Sequence, residues 1–219
     1  MSIKNNLLEI KSQLPENVTL VAVSKTKPIA DLMEAYNAGQ RIFGENKIQE
    51  MTEKWETMPK DIEWHMIGHV QTNKVKFMAA YVNLIHGVDS LKLLEEINKQ
   101  AKKHNRIIDC LLQIHIAEEE TKFGLNEKEL NDLMLSNEFK LLQNIKIVGL
   151  MGMATFTENQ NQIKKEFLHL KSIFNESCKI NLANSQPTIL SMGMSGDYKL
   201  AIDCGSTMVR IGSSIFGSR

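Results

Sequence analysis

A chain of 219 residues with 26 basic and 26 acidic side chains has no formal net charge. This excludes broad binding to nucleic acid or to an anionic membrane surface, but leaves room for a local basic pocket. A hydrophobic fraction of 42% and a charged fraction of 24% are ordinary for a globular protein, and Cys110, Cys178 and Cys204 are widely spaced with no CxxC pair, so neither a disulfide framework nor a zinc site is expected.

Residues 1–14 place Ile3, Leu7, Ile10 and Leu14 three or four apart, which reads as an amphipathic helix and not as a signal peptide. No later apolar run is long enough to span a bilayer, so a cytoplasmic protein is expected. The apolar run 20–23 reads as a buried strand ending at Ser24-Lys25-Thr26-Lys27, with Pro28 suited to the first turn of a helix over 29–38 that stops at Gly39. A short strand near 41–46, a helix over 47–55, a strand over 62–67 and a helix over 71–80 follow. A strand over 82–86 comes next, and Ser90 is placed to cap a helix carrying Leu91, Leu94, Ile97 and Ala101 on one face. The longest strand, 107–116, precedes an acidic loop at Glu118-Glu119-Glu120. Then come a helix over 127–135, a strand over 145–151, a helix over 160–176, and short strands at 188–191 and 207–211.

Eight apolar strands alternate with helical patterns and no Asn-Gly or Asp-Gly hairpin joins them, which implies parallel strands with crossovers. The leading architecture is a single α/β domain over 1–219, a (β/α)8 TIM barrel with an extra N-terminal helix. An open doubly wound sheet is the alternative.

A barrel of this kind carries its working residues on the loops that follow the strands. Lys25 leaves the first strand. A lysine held partly dry there has a lowered pKa, and its neutral amine forms Schiff bases with carbonyl compounds. The bland alternative is a solvated lysine at a strand end. Ser191-Met192-Gly193-Met194-Ser195-Gly196 and Gly212-Ser213-Ser214 follow the last two strands. They supply the glycines and hydroxyls of a phosphate cradle, helped by a short helix starting near Gly196, though tight turns use the same residues. Arg210 lies between Val209 and Ile211 in a core strand and needs a partner, either a ligand atom or a carboxylate such as Asp203. An amine beside a phosphate cradle points to a phosphorylated carbonyl compound, either pyridoxal 5′-phosphate or a sugar phosphate.

Five motifs occur in one order: Ala22-Val23-Ser24-Lys25-Thr26-Lys27, Phe43-Gly44-Glu45-Asn46, Trp64-His65-Met66-Ile67-Gly68-His69-Val70-Gln71-Thr72-Asn73-Lys74, Ser191-Met192-Gly193-Met194-Ser195 and Val209-Arg210-Ile211-Gly212-Ser213. Over nearly its whole length the chain resembles the pyridoxal phosphate homeostasis protein family, whose fold is similar to the N-terminal barrel of alanine racemase. The resemblance implies pyridoxal 5′-phosphate as cofactor, held as a Schiff base on Lys25. It further implies Arg210 at the pyridine nitrogen, Ser195, Gly212 and Ser213 on the phosphate, and Asn46 close to the ring. Ser213 stands where the family often has threonine, and Gly87 where serine is common.

A cationic guanidinium at the ring nitrogen weakens the electron sink that a carboxylate there would sustain. The chain also ends just after the eighth unit, without the β domain that completes a racemase site. The expected role is therefore a carrier or buffer in vitamin B6 homeostasis with no catalytic residue, acting as a monomer toward apo enzymes that use the cofactor. Two alternatives are a racemase-like enzyme acting on amino acids and a Schiff-base lyase acting on a sugar phosphate. Lys122 is a candidate second amine, more simply read as a surface lysine. His65 is expected to be a hydrogen-bonded barrel residue, and His69, His86 and His115 lack metal-ligand spacing. Met151, Met153, Met192 and Met194 are expected to fill barrel space, and Lys27, Lys74 and Lys76 are candidates for drawing a phosphate to the pocket by their local field, more simply read as a solvated face.

Overall fold

The short apolar runs fold as strands that bury both faces, which is why they read as continuous and not alternating. A computed structural model describes residues 2–119 and 123–217. β1 (Thr19–Val23), β2 (Ile42–Glu45), β3 (Glu63–Met66), β4 (Leu84–Val88), β5 (Ile108–Ile114), β6 (Ile145–Gly152), β7 (Ser185–Ser191) and β8 (Met208–Ile211) form a closed parallel barrel in sequence order. Closure comes from β1 pairing with β8, where Val21 lies opposite Arg210. The crossovers are α2 (Ile29–Asn37), α3 (Ile48–Thr57), a 3₁₀ helix Thr72–Phe77, α4 (Leu91–Lys103), α5 (Glu127–Leu135), α6 (Asn137–Lys140), α7 (Gln160–Ser177) and α8 (Tyr198–Asp203). The extra N-terminal helix, α1 (Ile3–Gln13), packs beside α2 and the last helix, α9 (Ser213–Phe216), to which it is tied by the Asn6 amide donating to Ile215 O at 3.0 Å.

Period two separates the strand faces. On β1, Leu20 and Ala22 join the outer core under the helices while Val21 turns inward to meet Leu84, Leu111, Val148, Met151 and Met208. On β3, Trp64 and Met66 pack outward, leaving His65 to the interior; on β8, Val209 and Ile211 do the same for Arg210. The barrel interior is thus apolar over part of its length and polar over the rest.

Several elements differ from the sequence expectation. The segment expected as a helix over 71–80 tightens to the 3₁₀ helix, and the strand expected at 82–86 starts and ends two residues later. Gly87 extends it: a Cβ there would stand 2.6 Å from Gly68 O, so a serine at this position would push the two strand ends apart. The strand expected at 188–191 begins at Ser185, because Pro187, which cannot donate to a ladder, lies beside a register shift between Ile147 and Gly149 of β6. At that shift β6 and β7 approach so closely that a Cβ on Gly149 would lie 1.7 Å from Ile189 O. Ser90 occupies the N-cap of α4, but its side chain makes no capping bond. β7 and β8 share one ladder pair, Ser191 with Met208, and the Ser206 hydroxyl beside them is within hydrogen-bond distance of Leu190 O, Met192 O and Met208 O.

Candidate functional site

At the carboxyl end of the barrel a cavity of about 550 Å³ is lined by Lys25, Asn46, Ser195, Arg210, Gly212 and Ser213, all six residues singled out from the sequence. Its size lies within the roughly 300–1,000 Å³ of small-molecule pockets. His69, Gln113, Phe123, Met153, Phe156 and Met194 line it too. Of the methionines expected to fill barrel space, Met151 and Met192 are buried packing residues, whereas Met153 and Met194 reach the cavity wall. Lys27 also borders it, with Nζ donating to Phe216 O at 3.0 Å. Lys122 lies outside the described residues.

Lys25 is half-buried and sits in a tight turn closed by Lys27 N–H donating to Ser24 O at 3.1 Å. Thr26, its neighbour in the turn, has φ of +65°, an uncommon conformation for a β-branched residue. Asn46 is exposed at the end of β2, immediately after the fully buried Glu45.

Arg210 is buried, with 4% of its surface exposed. Asp203 is not its partner: one guanidinium arm donates to Ser191 Oγ at 2.6 Å and another to Gly152 O at 3.1 Å, while Asp197 supplies the nearby negative charge. Burial pulls its pKa down to about 10 against the opposing field of Asp197, which leaves a cation at neutral pH. From Ser191 the contacts continue to His86 Nδ1 at 3.1 Å, and from His86 Nε2 to His65 Nδ1 at 3.1 Å. Arginine only donates, so a Ser191 hydroxyl that accepts from it and donates to His86 uses its acceptor and its donor together. That direction puts the His86 proton on Nε2, facing an acceptor nitrogen of His65.

Both rings are buried neutral. Desolvation lowers the His65 pKa to about 3 and that of His86 well below its ordinary value, with His65 and Arg210 adding to the latter. In the unfolded chain both titrate near ~6.5. Between those limits the unfolded chain binds protons that the folded chain refuses, so stability is complete above about pH 6.5 and falls as pH drops toward 3. Urea unfolding of wild type and His65→Gln at pH 7 and pH 4.5 checks this. The variant is expected to lose about 2 kcal/mol less than wild type between the two pH values. Equal losses would refute the assignment.

The last two loops meet where the Gly212 N–H donates to Ser195 Oγ at 3.3 Å. Gly193 has φ of +95° and packs so tightly on α8 that a Cβ would lie 2.6 Å from Ala201 Cβ. A Cβ on Gly196 would meet nothing within 4 Å, so at this cavity-lining position the missing side chain leaves open space over the backbone. Gly212 is close to β1 instead, 3.1 Å from Val23 O to its would-be Cβ. The helix anticipated near Gly196 begins at Tyr198 as α8. The Ser195 and Ser213 side chains and the uncovered backbone at Gly196, on the same cavity as a buried cation, suit a small dianion, and the half-buried Lys25 amine suits a carbonyl carbon. Pyridoxal 5′-phosphate carries both, so the residues present fit it. Among the described residues no three His, Cys, Asp or Glu side chains gather as metal ligands, and no helix is long and apolar enough to cross a membrane.

Sequence reasoning missed Ser191 and His86 as Arg210 supports and Lys54 as a buried cation. The place of Arg210 between Val209 and Ile211 did signal a core arginine in need of a partner. Nothing local announces Lys54, which looks like any surface lysine on α3 yet is 5% exposed.

The family model described as "Alanine racemase, N-terminal domain" matches residues 1–219. A "Pyridoxal phosphate homeostasis protein" of Pasteurella multocida is 38% identical over 232 residues, covering 100% of this chain and 98% of that protein. The solved structure of PipY from Synechococcus elongatus, with PLP bound, superposes with a TM-score of 0.89 at 34% identity over 99% of this chain and 100% of the other. Alanine racemase from Bartonella henselae shares the fold, with a TM-score of 0.73 at 18% identity over 99% of this chain and 58% of that enzyme.

Proposed function

The chain belongs to the pyridoxal phosphate homeostasis family of alanine racemase N-terminal barrels, and on that premise we propose that it holds pyridoxal 5′-phosphate as a Schiff base on Lys25. The observation that carries this reading is the convergence of Lys25, the buried Arg210 cation and the two Gly/Ser loops on one cavity. When bound, this cofactor supplies an aldehyde that condenses with amines and a ring that withdraws electrons. Ser195, Gly212 and Ser213 would hold its phosphate, Asn46 would border its ring, and Arg210 would stand toward the ring nitrogen.

Arg210 also bears on turnover. A fixed cation there would oppose protonation of the nitrogen and so favour the weaker electron-accepting form of the ring. His86 cannot supply a proton through Ser191 at neutral pH, because burial keeps it neutral. The site is therefore built for retention, and the protein acts as a carrier or buffer of the cofactor. On the same reading it works as a single-domain monomer in the cytoplasm, with apo enzymes as recipients.

The test is to add pyridoxal 5′-phosphate, remove the excess, reduce with borohydride and map the modified peptide. A pyridoxyl group on Lys25 is the expected result, and modification spread over surface lysines would overturn the reading. Exchange of amino-acid α-protons with solvent at ordinary enzyme rates would overturn the carrier role.

A further inference from the structure

The residues on either side of Lys25 are both tied to one buried ammonium that the family resemblance did not single out. Lys54, on α3, donates from Nζ to Ser24 O at 2.8 Å, to Glu45 Oε1 at 2.7 Å and to Glu50 Oε1 at 2.7 Å. An ammonium has three donors, and all three are used. Glu45 Oε1 also accepts from the Ser24 hydroxyl at 2.6 Å, and Glu50 Oε1 accepts from the Thr26 N–H at 2.6 Å. Ser24 is therefore held at its carbonyl and its side chain, and Thr26 at its amide.

Two features make this arrangement costly as a mere stabilising contact. Glu45 is fully buried, and its second oxygen, Oε2, has no hydrogen-bond partner. Replacing a buried ion pair by apolar residues of like volume is often neutral or stabilising, so stability alone does not explain its presence. Thr26 meanwhile stays at positive φ, a conformation that persists only when its surroundings over-determine it. The Glu50 carboxylate on its amide does that.

We propose that Lys54, acting with Glu45 and Glu50, is a positioning residue that fixes the backbone on both sides of Lys25, so that its amine meets an incoming aldehyde in a reactive orientation. This rests on the reading of Lys25 as the anchor. Lys54 and Glu45 do not line the cavity, so they act through Ser24 and Thr26 and not by touching the ligand.

The experiment separates aldehyde capture from phosphate binding. Schiff-base formation with pyridoxal 5′-phosphate is followed by absorbance in wild type, Lys54→Met, Glu50→Ala and Glu50→Gln. Affinity for pyridoxine 5′-phosphate, which has the ring and phosphate but no aldehyde, is measured on the same proteins. Capture is expected to slow about ten-fold or more in Lys54→Met and Glu50→Ala, with Glu50→Gln, which keeps an acceptor oxygen, within about three-fold of wild type. Pyridoxine 5′-phosphate affinity is expected to stay close to wild type throughout. Unchanged capture rates would overturn the proposal, as would parallel losses of both ligands, which mark general disruption. If Lys54→Met does not fold, the Glu50 pair decides, since Glu50 is partly exposed. A wild type that binds pyridoxine 5′-phosphate yet forms no Schiff base would instead overturn the reading of Lys25 itself, and this proposal with it.

Discussion

Lys25→Ala is expected to abolish the borohydride-reducible adduct with pyridoxal 5′-phosphate while leaving the barrel folded. The side chain lies half-buried in a turn, not in either hydrophobic cluster, so truncating it removes chemistry and little packing. Arg210 and the Gly/Ser loops are untouched, and the variant should still bind the phosphate and ring non-covalently. Losing the covalent link is expected to weaken binding by on the order of a hundred-fold, equivalent to about 3 kcal/mol. An absorbance titration of wild type beside the variant measures both effects. If the Schiff-base band persisted in the variant, another amine would be the anchor, and Lys27 and Lys122 would be examined next.

The second large effect concerns the frame and not the site. Gly149→Ala would set a methyl 1.7 Å from Ile189 O, a backbone atom of the paired strand that no side-chain rotation can move. β6 and β7 would have to separate at their register shift. A destabilisation of about 3 kcal/mol or more is expected, at the upper end of overpacking costs. For a chain of this length that corresponds to roughly 10 °C in Tm, readable by calorimetry or circular dichroism. A Tm within about 2 °C of wild type would show that the strands tolerate the extra atom.

The strand order and the barrel were legible in the sequence because each strand rests on a local signal, and on the cavity wall Lys25, Arg210 and the two Gly/Ser loops stood out in the same way, whereas Asn46 was singled out by the resemblance. A run of four to eight apolar residues marks a strand buried on both faces, and polar or glycine residues just beyond it mark the loop at its end. What was not legible depends on side chains that meet across the fold. Asp203 is nearer to Arg210 in sequence than Ser191 or Gly152, yet the closed barrel brings the latter two to the guanidinium. Lys54 follows a charge pattern typical of an exposed helix face, and only the docking of α3 against the ends of β1 and β2 turns it inward. Pro187 hid the start of β7 because strand rules count against proline, and a register shift in the partner strand is visible only once the strands are paired.

The joint between β7 and β8, with its single ladder pair, lies between the two loops proposed to hold the phosphate. Those loops extend from the strands on either side of that joint, so an anion gripped by both would work as a clasp across the seam with the fewest ladder pairs in the ring. Ligand that binds only the closed form adds to its stability by RT ln(1 + [L]/Kd). The supply of cofactor and the lifetime of the closed barrel would then rise and fall together, so the protein's own persistence would record how much of the cofactor is at hand.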